Sequence, residues 1–166
     1  MTSGGIHGLG EDKGGNMGDD VFKSTEGVLY NYNQLKAEIH NLQLEIEELQ
    51  DDYQGPGAIN YSEKTGSTNK VNDFVFNEVL HREQLINRLE RVKRTKERLL
   101  SKINVAIDSL DENERHFIET RYMSSHKRSW EQVGAIMNLD PNYCCNRIRH
   151  QVINKLSCLI FMNQYK

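Results

Sequence analysis

The side chains best suited to chemistry in this chain cluster between Asn142 and Asn154. Tyr143, Asn146, Arg147, His150 and Asn154 share one side of a helix expected over 141–160, with Asn142 and Arg149 at its edges. Asn can exchange two hydrogen bonds with an adenine edge, Arg can do the same with guanine or clamp a phosphate, and Tyr can meet a phosphate or a thymine methyl. The first turns of such a helix are the part that reaches base edges, which selects Asn142, Tyr143, Asn146, Arg147 and His150 as candidates. Arg149 either binds phosphate or packs. Lys127 and Arg128, just upstream, could grip backbone phosphate. The plain alternative is a solvated polar face on a helical bundle.

Other chemistry is poorly supported. Cys144, Cys145, Cys158 and His150 match no zinc-ligand spacing, and adjacent cysteines on a helix point about 100° apart. The cysteines read as buried small apolar residues. No histidine stands at a catalytic spacing from carboxylates or a nucleophile, so no enzyme activity and no cofactor are expected.

The candidate helix needs something to aim it. Upstream runs Ser129-Trp130-Glu131-Gln132-Val133-Gly134-Ala135-Ile136-Met137-Asn138-Leu139-Asp140-Pro141. Ser129 and Gln132 have the spacing of a capping box. Val133 and Met137 face one side of a short helix, and Gly134 is small where a second helix must cross closely. Asn138 tolerates the left-handed conformation, Asp140 caps, and Pro141 suits the first position of a new helix. The pattern is two helices joined by a tight turn. Before it, Ser109 or Asp111 can cap a helix carrying Phe117, Ile118 and Tyr122, and 124–128 is a polar loop. Trp130, the only tryptophan, is expected to anchor this unit over 109–161.

Composition bounds the rest. The chain has 166 residues and a formal net charge of −3, so DNA binding must rest on local charge. Three cysteines give no disulfide framework, and no apolar run is long enough for a membrane span. No signal peptide is apparent, and a cytoplasmic location is expected. Residues 1–53 carry three lysines against eleven acids, whereas 81–102 carry eight basic residues against three glutamates.

Residues 1–20 are Gly-rich and read as a disordered tail. Over 28–53, Val28, Tyr32, Leu35, Ile39, Leu42, Ile46, Leu49 and Tyr53 alternate by four and three, a heptad seam that must pair with something. Residues 54–72 read as a flexible connection. A second long helix is expected over 73–107, capped by Asp73. The favoured arrangement folds acidic helix 28–53 against basic helix 73–107 as an antiparallel hairpin; a homo-oligomer through 28–53 is the competing one. The basic run Arg88 to Lys102 complements the acidic helix better than it tracks phosphates.

Leu110, Glu114-Arg115, Ile118, Tyr122, Ser129-Trp130, Val133-Gly134, Met137, Ile148-Arg149 and Lys155-Leu156 together resemble region four of sigma-70-type factors. The likeness is stronger to small phage regulators of the ArpU and RinA type. It covers about residues 109–160. Asn138 stands where the usual turn glycine would, Cys144 and Cys145 replace a branched apolar residue, and Ile148 lies one residue later than the commonest spacing. Nothing resembles the polymerase-binding region of a complete sigma factor.

The expectation is therefore an all-α chain: a long helical hairpin followed by a three-helix C-terminal helix-turn-helix unit. The resemblance implies a regulator of phage late genes that binds double-stranded DNA; one such helix covers few base pairs, so a dimer or RNA polymerase is expected as a further partner, and the lack of a long apolar run implies no membrane association. The rival readings are a DNA-packaging protein of small-terminase type and a helical scaffold that never touches DNA.

Overall fold

The computed structural model describes residues 17–51 and 69–161, and among them it is all-helical with no strand. Helix α1 spans Met17–Tyr30 and α2 spans Tyr32–Asp51. Asn31 separates them, yet its N–H still donates to Gly27 and its carbonyl accepts from Leu35, so the break is a local turn. The sequence pattern places one helix over 28–53 and a disordered tail over 1–20. The structure corrects both: Met17 to Asp20 are already helical, and Val28 lies in the last turn of α1 instead of opening α2. Asp19 and Asp20 occupy the first turn of α1, where the helix dipole favours acids. Residues 1–16 and Tyr53 lie outside the described residues, as does most of the expected connection over 54–72.

Helix α3 runs Asn69–Asp108, four residues earlier than the expected cap at Asp73. Its 40 residues make a rod about 60 Å long. It pairs with α2 within the chain and antiparallel. Tyr32 donates to Asn104 at 2.9 Å, Lys96 Nζ meets Glu38 at 2.8 Å and Lys93 donates to Gln43 at 2.5 Å. The Lys96–Glu38 pair supplies one of the cross-helix charge matches expected of an acidic helix on a basic one.

A tight turn at Ser109-Leu110 leads to α4, Glu112–Ile118, which widens into a π turn over Glu119–Met123. Asp111 caps α4 in a full capping box with Glu114, while Ser109 instead donates back to the carbonyl of Ala106. Helix α5 is Trp130–Met137. The last helix, α6, opens as Pro141–Tyr143, widens into a π turn over Cys144–Ile148, and continues as Arg149–Ile160.

One core runs through all of this. Phe117, Ile118, Val133, Cys144, Val152, Ile153 and Leu156 are fully buried, and so are Leu29 of α1 and Ile103 and Ala106 of α3. Each large apolar side chain buried here contributes about 1.5–3 kcal/mol. The boundary expected near residue 108 thus falls between residues that share one packed cluster. The C-terminal unit is built on the foot of the hairpin and on α1.

Candidate nucleic-acid interface

The turn that aims α6 is built as its sequence implies. Ser129 accepts from the N–H of Gln132, whose side chain accepts from the N–H of Ser129 at 2.9 Å. Asn138 adopts the left-handed conformation with φ 55° and closes α5 with its N–H on the carbonyl of Gly134. Asp140 caps α6 by accepting from Tyr143 at 3.0 Å, and Pro141 opens it. Gly134 is hemmed in by both the turn and the start of α6. A Cβ there would lie 2.7 Å from the carbonyl oxygen of Leu139 and 3.1 Å from Cγ of Pro141.

Below the turn, Trp130 stacks on Phe117 with ring centroids 6.4 Å apart, and the guanidinium of Arg121 lies 4.1 Å from the Trp130 ring. Arg121 is buried and donates to the carbonyl of Arg128; Arg128 in turn donates to the carbonyl of Thr120 at 2.8 Å. The two arginines clasp the loop 124–128. Arg128 thus braces the loop through one guanidinium nitrogen and stays half-exposed. Lys127 is exposed, but its ammonium lies 4.8 Å from the Tyr30 ring centroid, drawn toward α1.

The outward edge of α6 carries Asn142, Tyr143, Asn146 and Arg147, all exposed; Tyr143 is half exposed, at 50%. Asn154 is also exposed but sits three turns further along, beside the packed end. His150 is exposed on one side and stacked on Phe22 of α1 on the other, with centroids 5.1 Å apart.

Of the two roles open to Arg149, phosphate binding or packing, the structure shows it packed. Its Nε and Nη2 each lie 2.7 Å from a carboxylate oxygen of Glu26, and its guanidinium lies 5.2 Å from the Phe22 ring. The hydroxyl of Tyr122 donates to the same carboxylate at 2.6 Å. Burial pushes the Glu26 carboxyl up, but the bonds from Arg149 and Tyr122, with the charges of Arg149 and Arg121, outweigh it and hold it below its ordinary value. Burial, then the bond to Glu26, raises the Tyr122 phenol, so it stays a donor. The Glu26 bonds hold Arg149 protonated despite its partial burial. Arg149 fastens α6 to α1 through its Nε and Nη2.

Glu26 is the residue that sequence reasoning missed. Phe22, Glu26 and Tyr30 repeat at four-residue steps along α1, beside a buried Val21-Thr25-Leu29 line, and that spacing was the available signal. On the far side of α6, Lys155 pairs with Glu114, which also accepts from Gln151 at 3.3 Å.

The sequence spacing puts Cys144, Ile148, Val152, Leu156 and Leu159 on one apolar side of α6, and the structure corrects one of the five. Cys144, Val152 and Leu156 are buried and Ile148 is half-buried, but Leu159 is exposed and Ile160 is buried in its place. A π turn takes in one residue more than an α turn, which rotates everything after it. Cys144–Ile148 is such a turn.

Cys144 is buried, and burial, then Asp140 and Cys145, pushes its thiol up, so it is not a reactive thiolate. Cys158, expected to be buried, is exposed. Among the described residues no group of three His, Cys, Asp or Glu side chains could share a metal ion, and no helix is long and apolar enough to cross a membrane.

The outward edge of α6 is thus a short polar strip on a rigidly seated helix, beyond a tight left-handed turn. No family model, no curated protein and no solved structure matches this chain.

Proposed function

We propose that this protein is a sequence-specific DNA-binding regulator that reads the major groove with the first turns of α6. The observation that carries the reading is the division of labour along that helix. Its C-terminal half is locked between α1, α3 and α4, whereas its N-terminal half projects Asn142, Tyr143, Asn146 and Arg147 outward beyond a tight turn. Groove readers need both properties, an anchored scaffold and an unencumbered first two turns. In this reading Asn146 and Arg147 contact base edges, Asn142 and Tyr143 contact bases or phosphate, and His150 lies at the rim. Lys127 supplies a phosphate contact from the loop. The protein acts by binding and carries out no reaction.

The resemblance of 109–160 to sigma region-four and ArpU/RinA-type regulators supports a narrower version: control of phage late genes in the bacterial cytoplasm, with RNA polymerase as a further partner. A footprinted pulldown of genome fragments on the purified protein tests it. One protected motif upstream of late genes is the expected result. No enrichment over bulk DNA, or binding indifferent to salt, overturns it, because phosphate contacts must weaken steeply as salt rises.

A further inference from the structure

The hairpin does not finish burying its own seam. The cross-helix bonds Tyr32–Asn104, Glu38–Lys96 and Gln43–Lys93 set the register. In that register Leu35 lies level with Leu99, Leu42 with Val92 and Leu49 with Leu85. All six fall on the Glu38 side of the hairpin. Leu35 and Leu99 line an open groove there together with Glu38 and Val28. The opposite side is more polar: Gln43, Gln50, Glu90, Lys93, Arg94 and Glu97 surround the buried Ile46, with Val79 and Ile86 only near its far end. Of the six, Leu35 is buried in the single chain, Leu42, Leu49, Leu85 and Leu99 are half-buried, and Val92 is 42% exposed. A stripe of this length, half covered by one neighbouring helix, asks for a second layer.

Charge identifies what forms that layer. On the α2 edge of the apolar strip stands Glu45; on the α3 edge, at nearly the same level, stand Arg88 and Arg91. All three are exposed, and none has an ion-pair partner among the described residues. A surface with an acidic edge, an apolar middle and a basic edge is complementary to itself turned over. We propose that a second copy of this chain covers it, giving a four-helix bundle with its two-fold axis parallel to the helices. That operator sets each α2 on the partner's α3, acid beside base. An axis across the helices would instead set α2 on α2, acid beside acid. The parallel axis also keeps both C-terminal units at one end of the bundle. The proposal does not depend on DNA binding; if α6 does read DNA, it supplies the paired half-sites that a single short helix lacks.

The test is the mass of the full-length protein in solution without DNA, by light scattering and sedimentation. A dimer is expected. Val92→Glu raises the dimer dissociation constant by roughly a hundredfold, since it buries a charge at the centre of the interface. Because Val92 is exposed in the single chain, helicity by circular dichroism stays unchanged. Glu45→Arg weakens the dimer by about fivefold, and adding Arg88→Glu to the same chain restores it, because the swapped charges again oppose each other across the interface. A monomer at micromolar concentration, a dimer indifferent to Val92→Glu, or an oligomer larger than two overturns the proposal. So does a charge swap that fails to rescue. Since no DNA is present, none of these results bears on groove reading.

Discussion

The carboxylate of Glu26 is gripped on both oxygens by Arg149, through Nε and Nη2 at 2.7 Å each, across 123 residues of sequence. This pair decides how α6 is held. The Glu26 side chain is 13% exposed and that of Arg149 27%, so the pair is shielded but not sealed from water. Glu26→Gln removes the charge and leaves Arg149 half-buried without a counter-ion. A loss of about 2–3 kcal/mol in chemical denaturation is expected, below the cost of breaking a fully buried pair.

The same pair predicts an acid limb. The folded carboxyl of Glu26 sits below its ordinary value of 4.5. Its contribution is therefore complete above that value and is lost as pH falls through the lowered folded value. The difference in unfolding midpoint between wild type and Glu26→Gln should be constant near neutrality and shrink below about pH 4.5. A difference that grows on acidification would mean the carboxyl is raised.

Arg147 and Arg149 are close in sequence and should behave differently. Arg147→Ala and Asn146→Ala each weaken binding to the specific site by about 1–3 kcal/mol with the melting temperature unchanged. Arg149→Ala lowers the melting temperature first. Anisotropy titrations alongside thermal melts separate the two; wild-type affinity in both Arg147→Ala and Asn146→Ala would reject this edge of α6.

Gly134→Ala is a sharper test of the turn. Alanine ordinarily favours a helix over glycine by about 1 kcal/mol. Here the added Cβ would lie 2.7 Å from a backbone oxygen, which has no rotamer to escape into. We expect net destabilisation of about 1–2 kcal/mol. A more stable variant would show that the turn does not approach α5 this closely.

Asn138, at φ 55°, gives a ranking. Asn138→Gly should be neutral or slightly stabilising, and Asn138→Ala should cost about 1 kcal/mol, since a left-handed backbone crowds Cβ against the following carbonyl. Urea midpoints ordered Gly, Asn, Ala from most to least stable are the expected outcome.

What could be read in advance was local. The Ser129–Gln132 box, the Asn138 turn, the Asp140 cap and Pro141 depend on neighbours within four residues, and each stands as its residue type implies. The long seam of α2 was legible for the same reason, because periodicity is local information repeated. The missed features are non-local or break the period. Helix α1 draws its order from Tyr122 and Arg149, 96 and 123 residues from Glu26. Nothing near Arg149 in sequence announces Glu26, so the sequence alone does not choose between phosphate binding and packing. Leu159 was misplaced because a uniform 3.6-residue wheel cannot see an interruption four residues into α6.

That interruption separates two jobs within one helix. Ahead of and within Cys144–Ile148 lie the outward polar side chains, Asn142 and Tyr143 before the turn and Asn146 and Arg147 inside it; downstream lie the bonds that fix the helix to its supports. Loss or gain of one codon in this wide turn would swing the tip about 100° around its axis while the moored half kept its neighbours. An indel, ordinarily ruinous inside a helix, could here act as a tuning knob for which tip residues point outward.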